Sequence, residues 1–197
     1  MKRIFYITIF MLVTSCIKIS FETKNNASEK LLPSEAYLNK VSDTQKAKKS
    51  KFYYVSKASS PDFINNMEAS LISFTKNKQS TSIDKILVKD ENGNEIPLNT
   101  CDNFTAIDNS DIENFLSNEK TYEGIVLKSI ESQKLYDFPK NKTTTIILYT
   151  KKMDGLQDKY INLAKHLYKE ENIDYIFISM DLENLKNIPD IWEETIF

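Results

Sequence analysis

Thr143-Thr144-Thr145-Ile146-Ile147-Leu148-Tyr149-Thr150 is the run that decides how this chain folds. Three β-branched threonines lead into Ile146, Ile147, Leu148 and Tyr149 with no charged interruption. Such side chains suit a pleated surface, and an apolar run without alternation marks a strand covered on both faces. Downstream, Asp154 is placed to cap a helix in which Leu156, Tyr160, Leu163, Ala164 and Leu167 share one face, to about Glu171. Ile173 to Met180 then repeats the buried-strand pattern. Two buried strands joined by a helix form the unit of a parallel sheet.

The upstream chain reads in the same vocabulary. Phe52-Tyr53-Tyr54-Val55 predicts a strand, and Ser60-Pro61 a helix start, with Phe63, Ile64, Met67, Leu71 and Phe74 on one face from about 61 to 76. Ile83 to Lys89 predicts a second strand, turned back at Asn92-Gly93 through Ile96 to Leu98. Phe52 to Asn92 therefore echoes Ile146 to Asn184, with Ile83-Asp84 matched to Ile173-Asp174; generic βαβ chemistry or a duplication would each produce this. Between the two, Ser110 is placed to cap a short helix through Ile112, Phe115 and Leu116, with Glu113 completing a capping box. Gly124-Ile125-Val126-Leu127 opens a third strand, 131 to 142 is a polar loop or an edge excursion, and Ile188 to Phe197 is a short helix or a docked tail.

These elements predict an α/β domain over residues 51–197. Its sheet is expected to be mainly parallel with helices on both faces, as in a Rossmann-like or flavodoxin-like three-layer sandwich. With 41% hydrophobic residues, 11 Phe and 10 Tyr, the chain of 197 residues can fill a core of that size.

The first residues read differently. Lys2-Arg3 is a positive start, and Ile4 to Val13 is an apolar run broken only by Thr8, too short to span a bilayer. Val13-Thr14-Ser15-Cys16 then places an aliphatic residue and two small residues before a cysteine. This segment resembles the lipobox signal peptide of bacterial lipoproteins. The resemblance implies cleavage between Ser15 and Cys16 and acylation of Cys16, with membrane lipid as the partner of the acylated residue. Residues 1–15 would be a signal peptide and 16–50, rich in Lys, Ser, Asn and Glu, a flexible tether. Lys46, Lys48, Lys49 and Lys51 read as its solvated part, or as an attraction to anionic head groups. Ile17, not Asp, follows the cysteine and the first acid is Glu22. By the family's sorting signals this favours the periplasmic side of the outer membrane over the inner membrane or the cell surface.

The stretch Thr144 to Asp181 also resembles the strand-helix-strand core of envelope thioredoxin-like proteins, which makes a thioredoxin-like fold the alternative. That family carries Cys-x-x-Cys at the helix start; here Lys151, Lys152, Met153 and Asp154 stand in its place, so dithiol exchange has no thiols. The family also continues into a helix, a cis-proline strand and a hairpin, for which too little chain remains after Asp181.

Other chemistry is sparse. The net charge is −2, and the mature form, lacking Lys2 and Arg3, is more negative still; with no basic excess, nucleic acid is not an expected partner. Gly93, Gly124 and Gly155 are too scattered for a phosphate loop or a dinucleotide fingerprint, and His166 is the single histidine, so neither a cofactor nor a metal is expected. Asp90 to Cys101 fails as a calcium loop, with Glu95 and Cys101 where Gly and Glu are needed. With Cys16 acylated, Cys101 is unpaired and reads as a partly buried free thiol, while His166 falls on a solvated helix face. Asp181 should follow the carboxyl end of a buried strand, and Ser56, Ser59 and Ser60 the same end of the first. These four residues are the expected ligand crevice. The resulting expectation is a lipid-anchored envelope protein that binds a ligand or another envelope protein without catalysis. The alternative is an envelope enzyme, either a degenerate thioredoxin-like protein or a serine-dependent hydrolase. The hydrolase lacks a Gly-x-Ser-x-Gly elbow.

Overall fold

The computed structural model describes residues 32–66, 70–77, 79–89, 92–98, 107–119, 121–153 and 155–191. Ser15, Cys16, Cys101, Asp154 and Trp192 lie outside them. Among the described residues, eight strands and four helices follow one another as α1 (Ser34–Thr44), β1 (Phe52–Val55), α2 (Ser60–Asn66), β2 (Ile72–Lys76), β3 (Gln79–Ser82), β4 (Leu87–Lys89), β5 (Glu95–Pro97), α3 (Asn109–Asn114), β6 (Leu127–Ser129), β7 (Thr144–Tyr149), α4 (Asp158–Glu170) and β8 (Asp174–Ser179). The fold is α/β, built on one six-stranded mixed sheet in the order β3-β2-β7-β8-β1-β6, with β4 and β5 as a separate hairpin.

The strand-helix-strand unit read around Thr143 stands at the centre. β7 and β8 pair in parallel from Thr144↔Asp174 to Tyr149↔Ser179, and all six residues of β7 are buried. β1 adds a third parallel strand against β8. The outer pairings, β2–β7, β2–β3 and β1–β6, are antiparallel, so the sheet is parallel only in its middle.

Period-2 alternation sends side chains to two cores. Phe52, Tyr54, Ile72, Phe74, Ile147, Tyr149, Tyr175 and Phe177 point to one face, where Tyr37, Leu38 and Val41 of α1, Ile112 of α3 and Ile161, Leu163, Ala164 and Leu167 of α4 cover them. Phe52 stacks on Phe177 at 4.6 Å between ring centres, and Tyr149 meets both edge-on. The opposite face carries Val55, Ile146, Leu148, Ile176 and Ile178. It is covered by Phe63 of α2 and by Tyr122, Tyr136 and Phe138 from the loop chain around β6.

Several expectations are corrected. The tether does not extend to residue 50: α1 begins at Ser34, and Tyr37, Leu38 and Val41 are buried in the main core. Three apolar side chains spaced by a helical turn suffice because the sheet supplies the partner surface. The helix expected from 61 to 76 ends at Asn66, and Ile72–Lys76 is a strand. Ile72 and Phe74 alternate with Ser73 and Thr75, so Phe74, read onto the helical face, also fits a strand, and pairing with β7 decides. Ile83–Lys85 is a single 3₁₀ turn between β3 and β4, not the start of a strand. β1 and β2 are not neighbours, so the echo between the two halves does not reflect a repeated βαβ unit. Asp108, not Ser110, caps α3: its carboxylate accepts from the Asp111 amide, and Asp111 accepts from the Asp108 amide in return. α4 starts at Asp158, leaving Leu156 exposed before it. The Asn92-Gly93 turn does join β4 to β5, with Gly93 at φ +81°. After β8 the chain makes one 3₁₀ turn over Leu182–Asn184 and returns to β1, where Ile191 bridges Ser56. No helix among the described residues is long and apolar enough to cross a membrane.

If α1 belongs to the fold, removing residues 1–31 should leave cooperative thermal unfolding intact. Removing 1–45 should abolish it, because the main core would lose three buried side chains, each worth about 1.5–3 kcal/mol in burial. Circular dichroism melts of the two truncations decide between a helix built into the core and a dispensable one.

Candidate functional site

The expected crevice lies at the carboxyl ends of β1 and β8, and the structure fills it. Asp181 is fully buried. Its Oδ1 accepts from the Thr150 hydroxyl at 2.6 Å, and its Oδ2 from the Lys151 amide at 2.9 Å and from the Tyr37 hydroxyl at 2.9 Å. Tyr37 has one proton, and it goes to Asp181, so the 2.6 Å contact between Tyr37 and Ser179 is donated by Ser179. Burial first, and the adjacent Asp181 charge second, push the Tyr37 phenol far above its ordinary range, so it remains a donor at any pH the fold survives. Lys151 Nζ lies over the Tyr37 ring, 5.7 Å from its centre. These contacts bind α1, the end of β7 and the end of β8 to one carboxylate.

The three serines are engaged elsewhere. The Ser59 hydroxyl accepts from the Val126 amide at 3.0 Å and donates to the Gly124 carbonyl at 3.4 Å; the Ser60 hydroxyl donates to the Lys57 carbonyl at 2.9 Å. Ser56 is buried, its amide bonded to the Val126 carbonyl, and its hydroxyl has no partner among the described residues. Ser56 and Ser59 pin the 124–126 segment beside the end of β1. No hydrogen bond joins Ser56, Ser59 or Ser60 to Asp181 or His166, so a nucleophile and its base are not brought together. His166 is half-buried on α4.

A cavity of about 320 Å³ opens at the other end of the sheet, where β7 and β8 begin and β2 ends. α3 contributes Asn109 and Glu113, β2 contributes Lys76, the entry to β7 contributes Lys142 and Thr143, and the stop of α4 contributes Glu171 and Asn172. Asn141 and Asn172 line it, and Asn77 bonds to Asn141. Asn77, Asn141 and Asn172 have φ of +50°, +58° and +55°, a region that asparagine tolerates better than most residues. Asn77 and Asn141 fix the β2–β3 turn to the β7 entry through two hydrogen bonds, of 2.8 and 3.1 Å. Asn172 ends α4 in a Schellman-like reversal, with the Ile173 amide returning to the Leu167 carbonyl.

Glu113 organises the interior. Lys76 Nζ lies 2.7 Å from its Oε1, and the Asn109 amide and the Thr143 hydroxyl donate to the same oxygen. Lys76 first, then Asn109 and Thr143, hold this carboxyl below the usual glutamate range, although partial desolvation opposes them. Among the described residues these three donors converge on Oε1. The Asn109 amide nitrogen must face the carboxylate, so its Oδ1 points away, buried and without a partner. Lys142 Nζ donates to the Asn172 side chain at 3.2 Å.

Sequence reading missed this cavity. It assigned Glu113 to a capping box and residues 131 to 142 to a loop or an edge excursion, and it placed the crevice at the carboxyl ends of the strands. The local signal was the recurrence of asparagine at segment ends (Asn77, Asn141 and Asn172). Among the described residues, no group of three or more His, Cys, Asp or Glu side chains could hold a metal ion. No family model, no curated protein and no solved structure matches the chain.

The lowered Glu113 acidity has a measurable consequence. A carboxyl whose native pKa lies below its unfolded value stabilises the fold in full above the unfolded value, and the contribution fades as pH falls through the native one. Glu113→Gln should therefore cost up to about 1 kcal/mol near neutral pH. That deficit should shrink below the ordinary glutamate value of 4.5 and vanish in stronger acid. Urea unfolding of both proteins from neutral pH into acid tests the sign; a gap that widens on acidification contradicts the assignment.

Proposed function

We propose that the protein is a bacterial cell-envelope lipoprotein whose α/β domain is a non-catalytic binding module. Residues 1–15 act as the signal peptide, Cys16 carries the lipid, and the domain works on the periplasmic side of the outer membrane. The ordered succession of Lys2-Arg3, the Ile4 to Val13 run and Val13-Thr14-Ser15-Cys16 carries this reading. Two or more acyl chains hold stably where one does not. The binding role is supported by the fate of the expected catalytic candidates. The Ser59 and Ser60 hydroxyls bond to backbone, and Asp181 is sealed under Tyr37. The partner is another envelope protein or a small ligand, not nucleic acid.

Among finer arrangements, a Rossmann-like or flavodoxin-like sandwich fits less well than the coarse class, because three of the five pairings in the main sheet are antiparallel. The thioredoxin-like alternative gains support from the β2–β3 hairpin lying antiparallel beside β7, next to the parallel β7-α4-β8 unit. That family's hairpin follows the unit in the chain, whereas here it precedes it, and no peptide bond among the described residues is cis. On this reading the scaffold is thioredoxin-like without its thiols.

Metabolic labelling with a fatty-acid analogue should mark the wild type and leave Cys16→Ala unmarked and longer at its N-terminus. Equal labelling, or an intact Met1 on the mature protein, would sink the anchoring. Ser59→Ala should leave co-purifying partners unchanged and lower stability by about 1 kcal/mol, since it removes one hydrogen-bonded hydroxyl.

A further inference from the structure

The turn that carries Lys46, Lys48 and Lys49 belongs to the domain, and its lysines are held in the open. Ala47, between them, is buried in the main core. Its amide donates to the Ser42 carbonyl at 3.0 Å, and its carbonyl accepts from the Ser42 hydroxyl at 2.6 Å. Lys46 stands at φ +45°, an uncommon backbone for a residue with a side chain. The Lys51 amide closes a 3₁₀ turn on the Lys48 carbonyl at 2.9 Å. Lys46 and Lys48 are exposed and Lys49 is half-buried. None of the three forms an ion pair among the described residues, whereas Lys51 is held by Asp174. Helix α4 extends the surface. Lys165, Tyr168 and Lys169 lie three and four residues apart and share one stripe. Lys165 Nζ donates to the Gln45 carbonyl at 2.7 Å, and Lys51 Nζ lies 5.5 Å from the centre of the Tyr168 ring. These two contacts lay the 45–51 turn along the stripe. Burial first, and the Lys46 charge second, lower the Lys165 ammonium from its usual value. Of the neighbouring acids, Asp174 holds Lys51 and Glu170 holds Lys169. That leaves Lys46, Lys48, Lys49 and Lys165 against Asp43 and Glu171, a positive balance in a chain of net charge −2.

We propose that this surface docks on the anionic phospholipid head groups of the bilayer that holds Cys16, with Lys46, Lys48 and Lys49 against the phosphates. Crowded like charges repel, and an anionic surface relieves that repulsion. Tyr168, 48% exposed beside them, has the apolar ring and polar tip that settle at head-group level. Three ammonium groups with no shaped apolar pocket among them suit a fluid array of phosphates better than a fixed protein surface. The geometry allows it. Sixteen residues separate Cys16 from Leu32, a span of at most about 55 Å. Helix α1, which carries the turn at its far end, is only about 16 Å long. With the acyl chains already in the bilayer, the lysines need only modest affinity each to hold the domain down. The proposal rests on the anchoring through Cys16 and adds a second contact with the same membrane.

The test takes the full chain from membranes in detergent and adds it to vesicles of phosphatidylcholine, alone or mixed with phosphatidylglycerol. Brief acetylation by an uncharged, water-soluble ester is read by peptide mass spectrometry. Lys46, Lys48 and Lys49 are compared with Lys57 and Lys152, which are exposed at the opposite end of the sheet, after β1 and β7. With phosphatidylglycerol present, the three lysines should react at least about fivefold more slowly relative to those two. Raised salt should remove the protection. Lys46→Glu with Lys48→Glu should restore the reactivity of Lys49; if that variant does not fold, the salt dependence of the wild type decides. Equal relative rates in the two kinds of vesicle overturn the proposal. So does equal protection by inorganic phosphate without vesicles, which marks a site for the free anion, and so does protection that requires added envelope proteins instead of the anionic lipid. Loss of docking with Cys16 still labelled removes the lipid-facing surface and leaves the anchored binding module; docking with Cys16 unlabelled does the reverse.

Discussion

The buried carboxylate of Asp181 is the constraint on which the rest of the structure depends. A carboxylate with no exposure to water is tolerable only when its lone pairs are occupied by donors. Here three donors come from two separate places: the α1 tyrosine, and the adjacent Thr150 hydroxyl and Lys151 amide that follow β7. Neither place can move away without stranding part of the charge. This is why α1 behaves as a layer of the domain and why the Thr150–Lys151 junction is tied to the end of β8. The same contacts close the end of the sheet at which parallel α/β proteins usually bind ligands.

The two ends of the sheet therefore carry different kinds of polar chemistry. At the carboxyl end Tyr37, Thr150 and the Lys151 amide converge on the buried Asp181. At the amino end Lys76, Asn109 and Thr143 converge on one oxygen of the half-buried Glu113, beside a cavity. The two faces differ as well. Helices α1, α3 and α4 cover one, while the other relies on α2 and a chain of aromatic contacts, Tyr53–Tyr136–Phe138–Tyr122.

The centre of this fold was legible because its signals are local and redundant. Thr144–Tyr149 is apolar throughout, α4 has a clear amphipathic stripe, and Asn-Gly specifies a tight turn without help from distant residues. What escaped was decided by pairing across the chain. Phe74 fits the helical stripe from Phe63 as well as the alternation with Ile72, and only pairing with the neighbouring β7 makes the segment a strand. Tyr37 and Leu38 look like a thin apolar face on their own, and they become core because a sheet assembled from residues 52 to 179 waits for them. At the site level, Asp181 was correctly placed at a strand end but misjudged as available, since sequence does not reveal that a tyrosine more than a hundred residues earlier covers it. The Glu113 cavity is assembled from four separated segments, and none of them carries a motif.

The reach of the Tyr37–Asp181 contact bears on the order of events in folding. Its partners are 144 residues apart, and the parallel β1–β8 pairing links Phe52 to Phe177. Closing such loops is slow, because their entropy is lost before the contact is gained. During synthesis α1 and β1 emerge first, yet they have no surface to settle on until β8 is out. The β2–β3 hairpin can form early, but the parallel centre cannot. The chain should thus stay open to handling by other factors until nearly all of it is made, then close in one late step. That timing suits a protein whose first sixteen residues are proposed to send it across a membrane before it folds.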